Sequence, residues 1–312
     1  MTRYDDLMSR ARAGTTVLLD GATGTECERR GVPVLPGAWS GGGVLTDPDI
    51  VRGVHADYLA LGAELLIANT FATHRHVLDA AGVGEQFEDI NRRAVELAIE
   101  ARTAAGAEHV VVAAGISSWT FLTTELPREP TLEEIRVNTA DQVAVLAAAG
   151  AELVILEMMV DVERMLATLE GAQTAGLPVW VGLSAGDYGQ REFVDGVPRL
   201  WHGETVSEAI AALRGRAVDA LVVMHTDVSL VGACLDVVLA EWSGTVGVYA
   251  HSGDFRGGHW VFDDVISPAD YRAHAQEWVR RGVPLVGGCC GIGPEHIRAM
   301  APMASGSAAT AH

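Results

Sequence analysis

The chain predicts an α/β fold of one domain, a (β/α)8 TIM barrel, and three observations carry the prediction. Apolar runs of strand length recur eight times, each followed by a helical pattern. The runs are near-continuous rather than alternating, as strands buried on both faces of a parallel sheet must be. The length, 312 residues, is one that eight such units fill as one domain. A doubly wound open sheet ranks second.

In order, the strands are expected at "TVLLD" (16–20), "ELLIANT" (64–70), "HVVVAAG" (109–115) and "ELVILEM" (152–158). Then follow "PVWVGLS" (178–184), "DALVVMH" (219–225), "TVGVYAH" (245–251) and "PLVGGCC" (284–290). Helices such as "TLEEIRVNTADQVAVLAAAG" lie between them. Thr131, Asp161 and Ser267 stand where an N-cap side chain is wanted, and Pro294 at a first helical position. Gly62, Gly106, Gly150 and Gly282 mark helix ends. The barrel is expected over 1–303, with a small, polar, disordered tail at 304–312. Two connections, 185–203 and 252–266, have the length of lids or binding loops.

Composition narrows the function. The hydrophobic fraction is 49% and charged residues are 20%, as in a soluble globular protein. The net charge of −19 repels nucleic acid and anionic membranes. No window offers ~18 uncharged apolar residues for a membrane span, and "MTRYDDLMSRARAG" is no signal peptide. A cytoplasmic protein acting on small molecules is expected; its oligomeric state is left open. All bases are arginine, and the absence of lysine excludes Schiff-base aldolase chemistry and covalent pyridoxal phosphate.

A TIM barrel gathers its chemistry at the C-terminal ends of its strands. Those ends supply Asp20, Asn69, Thr70, Glu157, Ser184, His225, His251, Cys289 and Cys290. Two thiols, two imidazoles and two carboxylates would therefore share one rim. The adjacent cysteines, set in "GGCCGIG", read as metal ligands, because at a strand end both sulfurs can face one spot. Inert burial, a vicinal disulfide or a phosphate cradle are the weaker readings. His225 is the expected third ligand, with His251 as the alternative. Cys234 reads as an inert core residue and Cys27 as a lesser candidate for the rim.

Two thiolates and one imidazole suit Zn(2+), and three protein ligands leave a fourth position open. Thiolate ligands weaken the Lewis acidity of zinc, which disfavours hydrolysis. They suit a substrate thiol, which zinc keeps as thiolate at neutral pH against a free value of ~8.5. An electrophilic methyl group is the natural partner of such a sulfur.

Four stretches resemble the homocysteine S-methyltransferase family. "LLDGATGTECERRG" (18–31) is similar to its opening motif, "IANTF" (67–71) to its second-strand motif, "LVILEMM" (153–159) to its fourth strand, and "LVGGCCGIGPEHI" (285–297) to its closing signature. The resemblance implies a TIM barrel with zinc held by three cysteines, two of them Cys289 and Cys290. It also implies that homocysteine's amino and carboxyl groups meet Asp20, Gly21 and Glu157, with Thr70 nearby. This chain departs from the pattern at three places. His225 stands where the third cysteine is usual, "AHSGD" replaces an Asn-Ser-Gly motif, and "AGISSW" (114–119) lacks a usual Gly-Pro.

The expected activity is thus methyl transfer from a sulfonium donor, of the S-methylmethionine or S-adenosylmethionine type, to a zinc-bound thiol such as homocysteine, giving methionine. Trp119, Trp201 and Trp260 could offer cation–π faces to a sulfonium. A different thiol acceptor or a betaine-type ammonium donor is the alternative. The betaine branch carries a C-terminal extension and an aromatic residue where this chain has Met158. A zinc hydrolase, which would want His-x-His where "DGATG" stands, and a thiol or metal sensor rank lower.

Overall fold

Each apolar run that the sequence sets between helices becomes a parallel strand, and the strands close into a ring. The structure, a computed structural model, describes residues 1–35, 38–118, 128–187, 189–256 and 259–304. The barrel strands are β1 (Val17–Leu18), β2 (Leu65–Ala68), β3 (Val111–Ile116), β4 (Leu153–Met159), β5 (Val179–Leu183), β6 (Ala220–Asp227) and β7 (Thr245–His251). A two-stranded hairpin, β8 (Asp254–Arg256) and β9 (His259–Val261), follows, and β10 (Leu285–Gly288) completes the ring. The hydrogen-bonded order is β1-β10-β7-β6-β5-β4-β3-β2, and a parallel bridge between Leu19 and Leu65 joins its two ends. That closure is the TIM barrel, not the open sheet.

Why the chain turns where it does is visible in the caps. The Thr131 hydroxyl accepts from the Glu134 N–H while the Glu134 carboxylate accepts from the Thr131 N–H, a reciprocal cap on helix Leu132–Ala148. Asp161 and Ser267 cap their helices through the Arg164 and Asp270 N–H groups. Pro294 opens the last helix, Pro294–Ala304, as expected. The tail expected from 304 lies, from residue 305 on, outside the described residues, as does Trp119.

Two features differ from the sequence expectation. β1 itself spans only Val17–Leu18, although beyond it the Asp20 N–H still donates to the Leu65 carbonyl and the Asp20 carbonyl accepts from the Gly288 N–H. An N-terminal helix, Arg3–Arg12, packs Tyr4, Leu7, Met8 and Ala11 into the barrel's inner core beside Val17, Leu65, Val111 and Leu285. The Trp180 indole N–H of β5 donates to the Tyr4 hydroxyl at 3.1 Å. This helix closes one end of the barrel and leaves the chemistry to the other.

Candidate metal centre and acceptor site

β10 and β7 form the wall that carries the thiols. Their ladder runs on past the strand ends: the Cys289 N–H donates to the Ala250 carbonyl at 2.8 Å, and the Ser252 N–H to the Cys290 carbonyl at 3.1 Å. Held this way, both sulfurs face one point, with Cys289 Sγ 3.8 Å from Cys290 Sγ. His225 reaches the same point from β6, its Nδ1 3.4 Å from Cys289 Sγ. Among the described residues, His225, Cys289 and Cys290 form the group whose donor atoms all lie within 4.8 Å of one another. His251 is not in it, although its ring centroid is 4.8 Å from that of His225.

The donor spacing can be compared with a metal. Around a tetrahedral zinc, Zn–S of ~2.3 Å and Zn–N of ~2.0–2.1 Å give edges of ~3.8 Å between sulfurs and ~3.5 Å between sulfur and nitrogen. The two observed separations, 3.8 and 3.4 Å, match those edges. The electrostatics agree. Burial, then the neighbouring His251, holds His225 well below the ordinary imidazole value, so it is neutral and able to ligate. Burial also pushes the Cys290 thiol well above its ordinary value. A divalent cation would reverse that penalty and hold the sulfur as thiolate. The residues fit zinc.

The backbone is strained at this point. His225 sits at φ 43° and Met158, the residue after Glu157, at φ 53°. Left-handed backbone costs a residue with a side chain ~1–2 kcal/mol. Both strains coincide with breaks in strand register, between Leu156 and Met159 in β4 and between Met224 and Asp227 in β6. Such irregularities re-aim side chains at functional sites. They turn Glu157 and His225 toward the barrel mouth.

The carboxylates lie beside the sulfurs. Glu157 is 7% exposed, and burial pushes its carboxyl up to about 7. The Tyr249 hydroxyl of β7 donates to Glu157 Oε1 at 3.3 Å. Asp20 Oδ2 accepts from the Ile67 N–H at 2.7 Å, and burial, together with the Glu157 charge, raises its carboxyl well above the ordinary value. Among the described residues no arginine is bonded to either of these two buried acids, so a cation arriving there would meet carboxyls with no competing positive partner. At Gly21 a side chain would meet the Ile292 carbonyl at 2.6 Å, so the first rim loop can lie against the turn that follows the cysteines.

Other rim candidates are occupied with structure. The Thr70 hydroxyl donates to the Gly115 carbonyl at 2.7 Å. Asn69 exchanges hydrogen bonds with Ser40, and the Ser184 hydroxyl donates to the Met224 carbonyl. Cys27 and Cys234 are buried in the outer core, each thiol raised to about 12 by burial, and neither joins the ligand group. Trp201, in the 185–203 connection, sets its ring 5.9 Å from that of His225. Tyr249 is not among the residues the sequence singles out. Its signal is a phenol two residues before His251 in an otherwise apolar strand, a position that shares the inward face and wants a partner.

Known proteins resemble this chain over most of its length. The homocysteine S-methyltransferase family pattern matches residues 17–304. Homocysteine S-methyltransferase 2 of Zea mays is 26% identical over 313 residues, covering 92% of this chain and 89% of its own. A selenocysteine Se-methyltransferase of Brassica oleracea var. italica is 26% identical over 314 residues, covering 92% and 88%. In fold, the metallated form of the Escherichia coli homocysteine methyltransferase MmuM superposes with a TM-score of 0.77 at 24% identity, covering 95% of this chain and 99% of its own.

Proposed function

The chain belongs to the homocysteine S-methyltransferase family, and from that membership we propose that it moves a methyl group from a sulfonium donor to the thiol of homocysteine, giving methionine, with zinc held by His225, Cys289 and Cys290. The observation that carries the proposal is the spacing of those three donors beside two buried carboxyls. When bound, zinc would keep the acceptor sulfur deprotonated at neutral pH and still nucleophilic. Asp20 and Glu157 receive the acceptor's ammonium, and the backbone at Gly21 meets its carboxylate. Buried walls exclude water, which would otherwise solvate the attacking sulfur. The bond between sulfonium sulfur and methyl breaks as the new sulfur–methyl bond forms. Its electron pair returns to the leaving sulfur, which departs as a neutral thioether.

A set of two thiolates and one imidazole leaves the ion less electron-rich than three thiolates would. Such a site favours the more electrophilic sulfonium donors over an ammonium. The Trp201 ring, 5.9 Å from that of His225, would offer its face to the sulfonium charge. Free thiols want a reducing compartment, and the cytoplasm supplies one.

The test is methyl transfer to homocysteine with S-methylmethionine, S-adenosylmethionine and betaine in parallel. Turnover is expected with a sulfonium, and in neither Cys289→Ala nor Cys290→Ala. Turnover with betaine alone would transfer the assignment to the ammonium branch, and turnover of selenocysteine in preference to homocysteine would change the acceptor.

A further inference from the structure

Both carboxylate oxygens of Glu157 lie against neighbouring strands of the barrel. Its Oε1 accepts from the hydroxyl of Tyr249, a buried side chain reaching into the lumen from β7. Its Oε2 occupies the space left by Gly115 in β3, where a Cβ would overlap that oxygen. Gly115 is itself fixed, because its carbonyl accepts from the Thr70 hydroxyl at 2.7 Å. On the side of the phenol, Gly182 of β5 leaves room for the Met224 side chain; a Cβ there would come within 2.7 Å of Met224 Cγ and 3.4 Å of the Tyr249 oxygen. A carboxylate on a flexible stem could take several rotamers. Here a hydrogen bond on one oxygen and the close backbone of Gly115 at the other narrow that choice.

We propose that Tyr249 and Gly115 form a clamp that fixes the distance between the ammonium-binding carboxylate of Glu157 and the sulfur-binding end of the rim, and so select acceptors by the number of carbons between amino group and thiol. The inference rests on the assignment of Glu157 to the acceptor's ammonium. Both residues are positioning residues, since neither is placed against the reacting atoms. A fixed carboxylate is paired well only by an acceptor whose ammonium arrives at that point while its sulfur sits at the rim. A shorter aminothiol such as cysteine must give up one contact or the other. A mobile carboxylate would follow either substrate, and discrimination would fall.

The experiment compares three thiols, each with the same sulfonium donor: homocysteine, cysteine, and 4-mercaptobutanoate, which is homocysteine without its amino group. In Tyr249→Phe the KM for homocysteine is expected to rise about two- to tenfold, the scale of one ordinary hydrogen bond, with kcat changed less. The preference for homocysteine over cysteine should shrink, while 4-mercaptobutanoate kinetics and metal content stay as in the wild type. Gly115→Ala, which pushes Glu157 off its position, should give the same selective pattern. A merely structural Tyr249 would lower activity with all three thiols alike, and that result would overturn the clamp. So would unchanged discrimination in Tyr249→Phe. Glu157→Gln separates the two layers: if it leaves homocysteine and 4-mercaptobutanoate as far apart as in the wild type, the ammonium assignment itself fails. If it abolishes the difference while Tyr249→Phe does not reduce it, only the clamp fails.

Discussion

Glu157 is a buried acid whose hydrogen-bond partner among the described residues is a phenol, and the proposed function makes it the test of what the rim binds. Glu157→Gln is expected to raise the acceptor KM by one to two orders of magnitude with metal retained, from the loss of a charge-assisted contact of ~1.5–3 kcal/mol. Steady-state kinetics with metal analysis checks both halves. The same group predicts a pH dependence. Its carboxyl is raised to about 7 in the folded chain, so the carboxylate form, the one proposed to bind the ammonium, is populated above that value and is lost as pH falls through it. Acceptor kcat/KM should therefore decline below about pH 7, and the decline should be weaker in Glu157→Gln, where Asp20 alone still titrates. Stability runs the other way. A raised carboxyl favours the protonated native state, so its contribution is present at low pH and disappears as pH rises from 4.5 toward 7.

Strands and loops show how much of this was legible. The eight barrel strands were legible because a buried parallel strand is a long apolar run, a signal the sequence carries locally. The paired cysteines were legible for the same reason. The left-handed turns at Met158 and His225 were not. They arise where β4 and β6 lose register with their neighbours, a property of strand pairing rather than of either segment. Choosing between His225 and His251 likewise needed the ladder between β7 and β10, which fixes where the sulfurs point. The N-terminal helix was unremarked because "RYDDLMSRAR" looks like any exposed amphipathic segment until the open barrel end is there to receive Leu7. Leu7→Ala is expected to cost ~2–5 kcal/mol of stability, as a large buried side chain lost from a core. It should leave metal stoichiometry unchanged, since it acts at the opposite end; denaturant unfolding and metal analysis would show whether the ends are separable in this way.

At the scale of the whole molecule, the barrel divides stability from chemistry. The helix Arg3–Arg12 and the inner core close one end, and strained backbone, buried acids and thiols gather at the other. The negative surface suits a protein whose ligands are small and held by contact at the rim rather than drawn by a basic field. What the account depends on most is that His225, and not its neighbour His251, completes the metal centre. The direct measurement is zinc per chain by elemental analysis in the wild type, His225→Ala and His251→Ala. About one zinc per chain is expected in the wild type, little or none in His225→Ala, and near-full occupancy in His251→Ala. Full occupancy in His225→Ala with zinc lost from His251→Ala would contradict the account.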